Sequence, residues 1–72
     1  MSRAVEVFTA EFEFAHGRAP RGRGCWGFFF VRGGAVCLDA RWAPGEQSFG
    51  EARRWAVGQA RSEGCDGVVV AS

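Results

Sequence analysis

Cys25-Trp26-Gly27-Phe28-Phe29-Phe30-Val31-Arg32-Gly33-Gly34-Ala35-Val36-Cys37-Leu38-Asp39-Ala40-Arg41-Trp42 is the stretch on which the fold turns. It reads as two strands joined by a tight turn at Gly33-Gly34. The first, Cys25 to Arg32, carries three consecutive phenylalanines, so it is apolar on both faces. The second, Ala35 to Trp42, alternates: Val36, Leu38, Ala40 and Trp42 share one parity, and Cys37, Asp39 and Arg41 the other. The length of the turn sets the register, and the register decides which aromatics are buried. A two-residue loop pairs Arg32 with Ala35 and puts Phe29 and Val31 on the face of Val36 and Leu38. A three-residue loop, Gly33-Gly34-Ala35, pairs Arg32 with Val36 and gathers Trp26, Phe28 and Phe30 with Leu38, Ala40 and Trp42. The three-residue loop is expected, because it buries three aromatics and offers glycine a left-handed position.

Working outward, Val5 to Phe14 reads as a strand with Phe8, Ala10, Phe12 and Phe14 on one parity and Thr9, Glu11 and Glu13 on the other. That alternation is the signature of a sheet with one buried and one wet face. Residues 17–24 form a loop of glycines, a proline and three arginines, longer than a plain hairpin connection. On the other side, Ala43-Pro44-Gly45-Glu46-Gln47 is a turn, and Ser48-Phe49-Gly50-Glu51 fits a capping box that starts a helix at Ser48. The helix runs to about Glu63, with Ala52, Trp55, Ala56, Gln59 and Ala60 on one stripe and Gly64 as its stop. Val68-Val69-Val70-Ala71 is a short strand without polar residues.

The expectation is an α+β fold of order β-β-β-α-β in a single domain, residues 1–72. A right-handed crossover brings the fourth strand parallel to the first. The sheet is four-stranded and mostly antiparallel, in the order 3-2-1-4, with one helix on one face. Trp26 and Trp55 are expected together between sheet and helix. The other face stays open and carries Thr9, Glu11, Glu13, Phe29, Val31, Asp39 and Arg41.

Composition bounds the function. The net charge is +1, so no overall field draws the chain to nucleic acid or membrane. All nine basic residues are arginine. Codon usage of a GC-rich genome explains most of that, and planar, forked donors for phosphate or carboxylate are the sharper alternative. No apolar run reaches the length of a membrane span, and the N-terminus lacks the apolar block of a secretion signal. Three cysteines without a close pair suit reduced thiols in a cytoplasm.

Several chemical motifs can be weighed. Gly22-Arg23-Gly24-Cys25-Trp26-Gly27 has the spacing of a dinucleotide fingerprint, but a strand follows where a helix is required. Cys25, Cys37, Cys65 and His16 have the ligand count of a zinc site without its paired spacing, so no metal and no other cofactor is expected. His16 beside Cys25 or Glu13 makes no supported catalytic dyad, and the chain is read as a non-enzyme. Two surfaces remain. Arg18, Arg21 and Arg23 among glycines suit phosphates or an acidic protein surface. Glu11, Glu13, Phe29, Asp39 and Arg41 on the open sheet face suit a protein interface. If the third strand is an edge, strand addition between two copies is a further route to association.

The segment Phe12-Glu13-Phe14-Ala15-His16-Gly17-Arg18-Ala19-Pro20-Arg21-Gly22-Arg23-Gly24-Cys25-Trp26-Gly27-Phe28, with Ser48-Phe49-Gly50-Glu51-Ala52, resembles short accessory proteins of bacteriophages and mobile elements. The resemblance implies a small protein that acts in the host cytoplasm on a host or phage protein or nucleoprotein complex, with inhibitors of host defence such as anti-CRISPR proteins as the natural class. It implies no catalytic residues. Three strands followed by a helix are also remotely similar to AP2-like DNA-binding domains, from which a fourth strand and the acidic face depart. The expected function is therefore a non-catalytic binder of a larger protein or nucleoprotein assembly. The alternative is a nucleic-acid-binding module that grips phosphates through loop 17–24.

Overall fold

The computed structural model describes residues 4–71. Its elements in order are β1 (Glu6–Phe8), α1 (Ala10–His16), β2 (Arg23–Gly24), β3 (Gly27–Arg32), β4 (Ala35–Val36), β5 (Arg41–Trp42), β6 (Gln47–Ser48), α2 (Phe49–Ser62) and β7 (Gly67–Val70). The class is α+β, as expected, but with two helices and two sheets. The main sheet runs β1-β7-β3-β4, with β5 on the same edge of β3 as β4. A second, two-stranded sheet pairs β2 with β6.

The expected order 3-2-1-4 is corrected by β7. It does lie parallel to β1, with Val7 opposite Val68. It also pairs antiparallel with β3, from Phe28 opposite Val70 to Val31 opposite Gly67. The last strand is thus central, between β1 and β3. The physical reason is that Val68-Val69-Val70 and Phe28-Phe29-Phe30 are both apolar on two faces. Such strands belong side by side in the middle of a sheet, not at its edge.

The first expected strand is cut short. β1 ends at Phe8, and residues 10–16 form a helix. Ala and Glu are good helix formers, and an alternating Glu-Phe run does not forbid a helix. Only Phe12 turns inward, where its ring stacks on that of His16, one helical turn on, at 4.2 Å. Phe14 lies about 200° further round the helix and is 92 % exposed. Gly17, at φ 70°, ends the helix and donates its N–H to the Glu13 carbonyl oxygen at 2.7 Å.

The hairpin is also corrected. Arg32 pairs with Ala35 and Val31 with Val36, so the loop has two residues. Gly33 and Gly34 both have positive φ, 58° and 82°, the requirement of the tight turn whose twist matches the strands. Further along, Phe28 pairs with Arg41 and Gly27 with Trp42. Between these two sets of pairs, β3 contributes residues 29 and 30 and the opposing chain residues 37–40. The extra residues bulge outward at Leu38 and Asp39. Leu38 is 86 % exposed and Trp42 55 % exposed, so neither joins the core as expected.

Helix α2 follows the sequence closely. Ser48 Oγ accepts from the Glu51 N–H at 3.2 Å, and Glu51 Oε1 accepts from the Ser48 N–H at 3.1 Å. These two bonds hold the Glu51 carboxyl below the usual carboxylate range. Ala52, Ala56 and Ala60, four apart, are fully buried. Their small side chains let the helix axis lie close over Phe28, Phe30, Val68 and Val70, the largest fully buried side chains. Trp55 is half-buried, its ring centred 6.4 Å from that of Phe28. Trp26 is buried elsewhere, in an aromatic string with Phe12 at 5.6 Å and Phe49 at 5.0 Å. The two tryptophans serve different ends of the core.

Candidate functional site

The strands of the main sheet bury one face under α2, and among the described residues no element lies across the other. Side chains alternate along a strand, so Phe28, Phe30, Val68 and Val70 take the helix side while Phe29, Val31 and Val69 take the open side. β1 follows the same rule: Val7 packs against the core, and Phe8 faces out at 42 % exposure.

Two glycines shape this open face. A Cβ on Gly67 would stand 2.8 Å from Phe8 Cε2 and 2.9 Å from the Glu6 carbonyl oxygen. A Cβ on Gly27 would stand 3.0 Å from Trp42 Cε3 and Cζ3. Each glycine therefore gives up its place on the face to an aromatic ring from the neighbouring strand. The result is a surface built of Phe8, Val69, Phe29, Val31, Val36 and Trp42, with the exposed Glu6 of β1, opposite Gly67, as a charged residue at its edge.

Over its middle lies a groove of about 410 Å³. Phe29 and Val69 form the floor, Glu11 and Ala15 of α1 one wall, and Val36 and Leu38 the other. Glu11 and Ala15 stand one turn apart, which is why both reach it. A shallow depression bordered by Ala10, Glu11 and Phe14 continues beyond α1.

The expected site residues are partly regrouped by these changes. Phe29 and Val31 lie on the open face, half-buried. Glu11 lines the groove from a helix and not from a strand. Glu13 is exposed on α1 and accepts a hydrogen bond from Thr9 Oγ1 at 2.6 Å. Asp39 is exposed in the bulge beside Leu38. Arg41 is corrected outright: paired with Phe28, it projects to the helix side, where its guanidinium sits 4.6 Å above the Phe30 ring. There it forms an ion pair with Glu63, at the end of α2, which also accepts from Arg32 through its backbone carbonyl. The Arg41 hydrogen bond holds the Glu63 carboxyl below its usual range and pushes the Arg41 guanidinium up.

Arg18, Arg21 and Arg23 are all exposed on loop 17–24. Arg23 opens β2 and donates to the Glu46 carbonyl oxygen at 3.3 Å. Arg18 and Arg21 make no ion pair or hydrogen bond with another described residue. The loop is anchored at its far end, where the Gly22 carbonyl oxygen accepts from the Phe49 N–H at 2.9 Å and from Trp26 Nε1 at 3.3 Å. Cys25 and Cys37 are exposed and Cys65 is half-buried. Among the described residues no group of three or more His, Cys, Asp or Glu side chains is placed to share a metal ion. No described helix is long and apolar enough to cross a membrane.

Sequence reasoning missed Val36, Leu38, Trp42, Val69 and Phe8 as surface residues. The pairs Gly27 with Trp42 and Gly67 with Phe8 held the signal. A glycine inside an apolar strand marks a place where something else approaches closely. Comparison with protein-family models, with known proteins and with solved structures finds no match for this chain. What the fold and the site define is a small α+β domain with one covered and one open apolar sheet face.

Proposed function

We propose that this chain is a small non-catalytic binding protein that covers a surface of a larger protein or nucleoprotein assembly with its open sheet face. One observation carries the reading: six neighbouring side chains on that face, Phe8, Val69, Phe29, Val31, Val36 and Trp42, are all apolar. An antiparallel sheet that faces water ordinarily alternates apolar-in with polar-out. A contiguous apolar surface rimmed by charge is characteristic of a binding site. Glu11, Glu13 and Asp39 stand on α1 and in the bulge and not on the strands, so the strands' own acid on this face is Glu6 at the β1 edge. A binder of this size acts by occupying what it covers, and the likeness to phage accessory proteins favours an inhibitor of a host defence assembly in the cytoplasm.

Loop 17–24 supports a second reading, because Arg18 and Arg21 are exposed and unengaged with other described residues. With Arg23 they make three loop arginines that suit phosphates, and binding through them would weaken steeply with salt. The two surfaces use different residues, so one experiment separates them. The tagged chain is used to retrieve partners from host lysate, with and without nuclease. It is compared with Leu38→Asp and with Arg18, Arg21 and Arg23 changed together to Ala. A nuclease-resistant protein lost with Leu38→Asp and kept by the triple variant supports the open face. Binding lost with nuclease and with the triple variant, and kept by Leu38→Asp, overturns it in favour of nucleic acid.

A further inference from the structure

We propose that the groove over Phe29 and Val69 receives an amphipathic helix of the partner protein, apolar side inward, with basic residues along the flank that meets Glu11. The inference rests on the reading of the open face as a protein-binding surface and names what fills it.

The groove's position excludes an added strand. Its floor is made by β3 and β7, the two strands with neighbours on both sides. Their ladders are already paired, so an extended peptide laid there finds no free N–H or C=O to bond. An occupant of this floor has to arrive with its own backbone hydrogen bonds satisfied, which a helix does. The shape agrees. Glu11 and Ala15 rise on one side and Val36 and Leu38 on the other, so the surface is concave and takes a convex rod. A second copy presenting the same face would set hollow against hollow and leave both unfilled. A groove of about 410 Å³ holds a few large side chains, which is the payload of one helical stripe at spacings of three and four.

Charge fixes the polarity of the flank. Among the described residues that line the groove, Glu11 alone is charged. Asp39 follows Leu38 at the opposite wall, exposed. The arginine nearest in sequence to Asp39, Arg41, is turned to the other face and held by Glu63. Lysine or arginine beside the apolar stripe of the incoming helix is therefore attracted, and glutamate is repelled.

The test uses the whole chain, isotopically labelled for NMR, and two synthetic helical peptides with the same leucine stripe. One carries lysine on its polar positions and the other glutamate. The lysine peptide is expected to bind about tenfold more tightly, the scale of a modest electrostatic preference at a solvated rim. Its shifts should centre on Glu11, Phe29, Leu38 and Val69. Glu11→Lys should erase or invert the preference, and Leu38→Asp should remove binding of both peptides. Leu38 is 86 % exposed, so that variant keeps its fold. Equal binding of the two peptides, preference for glutamate, shifts centred on α2, or no binding at all overturns the proposal. So does a wild-type dimer in sedimentation that Leu38→Asp dissociates, since a second copy then fills the groove. If the peptides fail while Leu38→Asp still loses the cellular partner, the helical occupant falls and the protein-binding face stands. If Leu38→Asp keeps that partner, both fall.

Discussion

The two faces of the main sheet are made by alternate residues of the same strands, and both are apolar. Under α2, Phe28, Phe30, Val68 and Val70 are buried almost completely. On the open side, Phe29, Val31 and Val69 are half-buried. Apolar composition alone therefore does not say which face is core. What distinguishes them is the partner. One face meets a helix with an alanine stripe, which settles flat on it. Among the described residues, the other meets only the rims of α1 and of the bulged hairpin. The first face holds the fold together, and the second is available for work elsewhere.

Truncating one phenylalanine on each face tests this division most strongly. Phe30→Ala should destabilise by about 3–5 kcal/mol, as emptying a fully buried site does. In a domain of this size that is a large part of the folding free energy. Phe29→Ala, at a partly exposed site, should cost less, about 1–2 kcal/mol, in line with the smaller area it removes from water. Urea melts of both variants decide the matter. Equal losses would mean that the open face is closed in solution.

Gly67→Ala should be the next largest effect, roughly 1–3 kcal/mol, because the new methyl meets the Glu6 backbone oxygen as well as the Phe8 ring. Gly27→Ala meets only the half-exposed Trp42 ring, which can shift, so its loss should be smaller. Trp42 fluorescence should respond to Gly27→Ala and not to Gly67→Ala. The reverse pattern would break the account of how rings cover these glycines. Ser48→Ala removes half of the capping box on the helix that makes the core face, and should cost about 1 kcal/mol in thermal melts.

The smallest expected effect is acid sensitivity at the helix end. Glu63 and Glu51 both have carboxyls lowered in the fold from the ordinary value of 4.5. Such groups add stability that is fully present above the unfolded pKa and is lost as pH falls through the lower, folded value. Melting points of the wild type should therefore drop on the acid side of 4.5. Glu63→Gln, which keeps the size and loses the charge, should shallow that drop. The groups are solvated, so the change is modest. An unchanged acid limb would show that Arg41 is not held by Glu63.

The helix that makes the core face was legible because its signals are local. Ser48 and Glu51 stand three apart, Ala52, Ala56 and Ala60 four apart, and Gly64 follows. The sheet was legible only in its parts. Parallel pairing of the last strand with the first followed from the crossover, but pairing order depends on contacts between segments far apart in sequence. Val68 to Val70 carried the missing clue in being apolar on both sides. The alternation of Glu11, Phe12, Glu13 and Phe14 misled, because period two and helical propensity competed and the chain had Thr9 and Gly17 to bracket a helix. The bulge at Leu38 and Asp39 left no mark in a strand of regular alternation, and it moved Arg41 from one face to the other. Of the open face, Phe29 stands where its strand parity put it, Glu11 reaches the groove from a helix and not from the expected strand, and the rings that complete the surface depended on register.

The central place of β7 also bears on when this protein can take shape during its own synthesis. β1 and β3 do not pair with each other and meet only through residues 67–70. While translation is still short of that segment, the nascent chain has a hairpin and helical segments but no sheet to join its two halves. The phenylalanine-rich β3 then waits with the edge that β7 will pair still open, the condition in which unfinished chains attract chaperones or one another. Assembly of the sheet therefore waits for residues 67–70, and it is slow to begin because its deciding contacts join segments far apart in sequence.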